Sequence, residues 1–128
     1  MKPLAGEQST WVEKTFEKMT LEERIGQLLL PMCAEAGQFE LLKKLTPELH
    51  LGGVFVFGAS PEAHRERLGA LQALSRVPLV VAADLEAGAG YVVGGAVPFP
   101  DPLAVAAANR EDLAWEMGRA AALQGRAV

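Results

Sequence analysis

Chemistry in this chain is most concentrated at Asp84 and Glu86, two carboxylates that follow the apolar run Leu79-Val80-Val81-Ala82-Ala83. In α/β folds, polar residues at the carboxyl ends of parallel strands face the ligand crevice. A carboxylate there accepts hydrogen bonds from two ligand hydroxyls, which suits a sugar. On residue type alone, Asp84 capping a turn and Glu86 facing solvent fit equally well. The two are read as a poor nucleophile and acid/base pair, which needs carboxyl groups roughly 5 Å apart.

Other candidates are weaker. Gly88-Ala89-Gly90 lacks the third glycine and following helix of a phosphate loop. A metal held by Asp84 and Glu86 has no histidine near in sequence, because His50 and His64 are isolated; surface positions are expected for both. Cys33 is the lone cysteine, without a ligand partner at metal spacing, and reads as a small buried hydrophobe. No cofactor is called for.

The elements that must position Asp84 form a repeat. Strands are expected to start at Leu28, Gly53 and Leu79, at intervals of about 25 residues. Helices fall between them, which is the length of a βα unit with a parallel crossover. Gly52-Gly53-Val54-Phe55-Val56-Phe57-Gly58 is an unbroken apolar run, as in a strand covered on both faces. Thr10 with Glu13 and Thr20 with Glu23 fit capping boxes. The first predicts a helix over 11–19 that buries Trp11, Phe16 and Met19. Pro31 turns the run 28–32 towards strand rather than helix.

Further helices are expected over 38–45, from the Ser60-Pro61 cap to about Arg76 with Leu68, Leu71 and Leu74 inward, and from an Asn109 cap over 110–123. The last should carry Leu113, Met117 and Ala120 or Ala121 inward. Residues 85–108, rich in glycine and proline, read as a long, mostly irregular segment of the kind that is usually functional or mobile.

At 128 residues and 50% hydrophobic content the chain suits one core. It is about half the roughly 250 residues of a complete (β/α)8 barrel. Twelve basic against sixteen acidic residues leave a net charge of −4, which argues against nucleic acid. No apolar run is long enough for a membrane span, and the N-terminus lacks a signal-peptide pattern. A soluble, cytoplasmic protein is expected, with no membrane partner.

Met19-Thr20-Leu21-Glu22-Glu23-Arg24-Ile25-Gly26-Gln27-Leu28 resembles the opening signature of family-three glycoside hydrolases. The run 52–57 resembles their second barrel strand, and Pro78 to Glu86 resembles the strand that ends in Asp-x-Glu-Gly-Gly. Val97-Pro98-Phe99-Pro100, Leu103-Ala104 and the helix through Leu113, Glu116, Gly118 and Arg119 continue in the family's order. Within the family the bacterial β-N-acetylglucosaminidases resemble it most.

The resemblance implies an α/β fold comprising the first three or so βα units of a (β/α)8 TIM barrel, over 1–128. It implies cleavage of a terminal β-linked sugar with retention. It matches Asp84 to the aspartate that holds sugar hydroxyls in the first subsite and Glu86 to a supporting glutamate. The family's nucleophile and acid/base lie in later barrel units, so no residue here takes either role and the segment alone is expected to be inactive. The chain departs from the pattern at Ala87, where the first of two glycines would follow the glutamate, and it has no arginine between Asp84 and Arg110.

Such a segment is expected to self-associate or to pair with the segment that completes the barrel. The alternative is a small, non-catalytic α/β binding module with a polar ligand at the Asp84 crevice. Strand order separates the two: sequential for a barrel, reversed for an open doubly wound sheet.

Overall fold

The structure, a computed structural model, describes residues 6–127. Helices α1 (Gly6–Glu17) and α2 (Leu21–Gly26) lead into strand β1 (Met32–Cys33), followed by α3 (Ala36–Leu49), β2 (Gly53–Val56), α4 (Pro61–Leu74) and β3 (Val80–Ala82). A 3-10 turn at Ala89–Tyr91 and helices α5 (Pro102–Ala107) and α6 (Glu111–Ala127) complete it.

The three strands are parallel and lie in the order β1-β2-β3. Met32 pairs with Phe55, and Gly53, Val54 and Phe55 pair with Val80, Val81 and Ala82. Sequential parallel strands joined by helices are the opening of an α/β barrel, not a doubly wound sheet whose order reverses.

The core lies on the helix side of this sheet. Cys33, Val54, Val56 and Leu79 pack there with Leu42 of α3 and Leu71 of α4. The expected double cover is not formed. Phe55 is only half-buried and Val80 is 63% exposed, so one face of the sheet is open. The unbroken apolar run reflects a face that no described residue covers.

Local signals explain several element ends. Thr20 Oγ1 accepts from the Glu23 amide at 3.2 Å, and Glu23 Oε2 accepts from the Thr20 amide at 2.8 Å, closing the expected capping box. Ser60 caps α4 by accepting from the Ala63 amide, with Pro61 in the first turn. Gln72 then brackets Leu79 at the entry to β3, bonding its N–H and its carbonyl at 2.9 Å each.

Elsewhere the structure departs from expectation. Helix α1 begins four residues before Thr10, whose hydroxyl donates to the Gly6 carbonyl, while Glu13 accepts from Ser9. Trp11 and Phe16 are more than half exposed, and Phe16 is covered by the Arg24 guanidinium at 4.0 Å. Leu28 and Leu29 close a turn onto the Ile25 and Gly26 carbonyls, which shortens β1 to two residues.

Helix α3 runs on through Pro47, which gives up one helical bond near its end. His50 ends it in the left-handed conformation. Leu74 and Leu113 are exposed rather than inward. Asn109, at φ 50°, terminates α5 instead of capping the final helix. The loop also contains α5, started by Asp101 Oδ1 accepting from the Leu103 amide. Among the described residues no helix is long and apolar enough to cross a membrane.

Candidate functional site

Asp84 follows the last paired residue of β3 by two positions. Val81, Ala83 and Leu85 line the cavity on the helix side of the sheet. Ala82 also lines this cavity, while Val80 and Ala82 pair in register with Gly53 and Phe55; Asp84 lies beyond the paired strand. Asp84 and Glu86 are both exposed.

Among the described residues, neither carboxylate accepts a hydrogen bond from a protein donor. Asp84 therefore caps no turn; the turn that follows is closed by the Gly88 amide donating to the Leu85 carbonyl at 3.0 Å. Residues 77–109 contain no lysine or arginine, so no cation from this stretch braces Asp84.

Gly88-Ala89-Gly90 does not form a phosphate cradle. The Gly88 amide is committed to Leu85, and the Ala89 amide donates to Gln124 Oε1 at 2.9 Å. The glycines serve close packing instead. Gly88 has φ 76°, and a Cβ there would lie 2.8 Å from Phe99 Cδ2. A Cβ at Gly90 would lie 2.4 Å from the Pro98 nitrogen.

The loop after β3 is held from two helices. Gln124 of α6 accepts from the Ala89 amide and donates from Nε2 to the Val97 carbonyl at 3.1 Å. His64 of α4 is 2% exposed, and its Nε2 lies 3.1 Å from the Val92 carbonyl. The expected surface position of His64 is thus overturned, because the loop folds over α4 and brings the Val92 carbonyl against its ring. Neither Gln124 nor His64 carries a sequence signal for this role, since each bonds backbone carbonyl or amide groups far along the chain.

Two cavities flank the sheet. One of about 410 Å³ lies beneath the loop on the helix side, lined by Val56, His64, Leu68, Val81, Leu85 and Val92 among others. The other, of about 230 Å³, includes Glu23, Gln27, Thr46 and Arg76 at the amino ends of the strands. Neither includes Asp84 or Glu86, which lie past the strand end and are exposed. His50, half-buried, lines the second cavity, and its backbone carbonyl accepts from Gln27 Nε2. Cys33 is buried, and burial pushes its thiol pKa up. Among the described residues, no three His, Cys, Asp or Glu side chains gather as a metal site.

Comparison with known proteins agrees with this geometry. A model of the Glycosyl hydrolase family 3 N terminal domain matches residues 20–128. A β-N-acetylglucosaminidase/β-glucosidase of Cellulomonas fimi is 33% identical over 116 residues, which are 91% of this chain and 20% of that protein. A solved structure titled β-glucoside phosphorylase BglX bound to 2FGlc superposes with a TM-score of 0.83 at 26% identity. It covers 94% of this chain and 22% of its own. A second structure of BglX superposes at 0.69 with 28% identity, covering 94% of this chain and 21% of its own. The chain thus spans about a fifth of the length of the relatives it matches. Sequential parallel strands, the ordered signature from Thr20 onward and these matches together show that the chain belongs to glycosyl hydrolase family 3, within that family's N-terminal domain.

Proposed function

We propose that the chain supplies the first βα units of a barrel that cleaves terminal β-linked sugars, with Asp84 gripping hydroxyls of the sugar and Glu86 supporting it. One observation carries this reading: Asp84 stands exposed past the carboxyl end of the third sequential strand, its oxygens uncommitted to protein donors among the described residues. An ionised carboxylate with free lone pairs accepts hydrogen bonds from hydroxyls and gains strength from its charge. Carbohydrate-active names among the relatives support the same ligand class.

Retention requires a carboxylate nucleophile that attacks the anomeric carbon and an acid that protonates the departing oxygen; water then releases the sugar from the enzyme. Asp84 and Glu86 fill neither role on this reading. The chain of 128 residues therefore binds without turning over, and chemistry needs the segment that completes the barrel.

The test has two parts. The chain is assayed with a chromogenic β-N-acetylglucosaminide and β-glucoside, with and without inorganic phosphate, and no release is expected. Methyl β-N-acetylglucosaminide and methyl β-glucoside are then titrated while backbone amide resonances are followed. Binding of either that disappears in Asp84→Asn supports the reading. Turnover abolished by Asp84→Ala, or binding indifferent to Asp84, overturns it.

A further inference from the structure

Asp84 and Glu86 lie on a short span tethered at both ends. On one side is Ala82, the last residue paired in the sheet. On the other is Ala87, whose carbonyl accepts from the Phe99 amide at 2.7 Å, followed by Ala89, whose amide is bound by Gln124. Between these anchors run only residues 83–86. Few backbone torsions remain free over such a span, so the anchors decide where the carboxylates stand.

Beyond the Ala87–Phe99 backbone bond, the far anchor rests on one side chain. The amide of Gln124 uses its acceptor on Ala89 and a donor on Val97, at 2.9 and 3.1 Å, and so fastens both limbs of the loop to α6. A glutamine suits this because its side chain carries acceptor and donor on one planar group. Gly88 lets the helix approach, since a Cβ there would sit 3.1 Å from Gln124 Oε1. Val92 is fixed independently, its carbonyl receiving His64 Nε2 and the Ala59 amide. Among the described residues, the limb that carries Asp84 is otherwise held by backbone bonds alone, from the Phe99 amide to Ala87 and from the Gly88 amide to Leu85.

We infer that Gln124 is a positioning residue for the sugar site: by joining Ala89 and Val97 it holds the Asp84–Glu86 span in its binding geometry before the ligand arrives. The inference rests on the reading of Asp84 given above. Preorganisation removes an ordering cost that binding would otherwise carry, and in this chain α6 supplies it without contacting the sugar.

The experiment compares Gln124→Leu, which keeps bulk but neither bond, and Gln124→Asn, which is too short to reach both limbs. Arg119→Gln, on the exposed side of the same helix, is the control. Hydrogen exchange reports the Ala89 amide, and titration with methyl β-N-acetylglucosaminide and methyl β-glucoside reports affinity. Faster exchange at Ala89 with sugar affinity about tenfold weaker, in variants that keep native circular dichroism, is the expected result.

If Gln124→Leu fails to fold, Gln124→Asn alone decides. Unchanged affinity in the folded variants, with Asp84→Asn still abolishing binding, overturns the role of Gln124 and leaves the sugar site standing. Unchanged Ala89 exchange overturns it equally. Absence of Asp84-dependent binding in the unsubstituted chain overturns the site and this inference together.

Discussion

Glu23 Oε1 lies 2.5 Å from Arg76 Nη1, tying the second helix to the segment that enters the third strand. The same carboxylate closes the capping box through Oε2 and the Thr20 amide, and Glu23 is only 8% exposed. One side chain thus joins the first and third βα units at the amino ends of their strands. Removing Arg76 leaves a buried carboxylate with a single donor, whereas Arg76 itself is well hydrated without its partner. Arg76→Ala is expected to cost about 1–3 kcal/mol. Glu23→Gln keeps a single acceptor oxygen, so its NH2 opposes either the Thr20 amide or Arg76, and it should cost at least as much. Urea unfolding with an unchanged m-value checks this, and a Glu23→Gln variant as stable as the unsubstituted chain would show that neither contact carries stability.

Cys33 makes stability depend on alkaline pH. It is 3% exposed, and burial raises its thiol pKa against a smaller opposing effect of the Arg67 charge. A raised folded value means that the folded chain holds the proton more tightly than the unfolded chain. The contribution is fully present below the unfolded thiol value, about 8.5, and is lost as pH rises through the folded one. Urea midpoints are expected to fall more steeply above that pH in the unsubstituted chain than in Cys33→Ala, and a thiol reagent should label the native protein only on unfolding. Parallel curves for the two proteins would refute the assignment.

The open sheet face predicts association. Val80 is 63% exposed and Met32 52% exposed on the face that carries Phe55 and Ala82, and the outer edge of β3 has no partner among the described residues. An uncovered apolar face beside a bare strand edge recruits another chain. Sedimentation is expected to show the 128-residue chain above monomer mass, and Val80→Lys to shift it towards monomer. A monomer insensitive to that substitution would show that the face is tolerated in water.

Signals that act over one turn of chain were legible in the residues. The Thr20–Glu23 box and the Ser60-Pro61 start of α4 each depend on neighbours within a few positions, and each forms as expected; of the strands, β2 starts at Gly53 as expected, whereas β1 starts at Met32 rather than Leu28 and β3 at Val80 rather than Leu79. The Asp101-Pro102 start of α5 was equally local, but it lay hidden in a glycine- and proline-rich stretch read as loop. The site was half legible: Asp84 could be placed at a strand end, while the partners of its loop could not.

The sequence by itself determined the βα repeat, the order of the family signature and the carboxylate that closes the third strand, because backbone hydrogen bonding and alternation impose those patterns locally. Only the tertiary structure decided which face of the sheet stays open, that His64 is buried beneath Val92, and that Gln124 spans Ala89 and Val97. Those contacts join residues 27 to 35 positions apart. Their partners are mostly backbone groups that every residue carries, so no residue type marks them in advance.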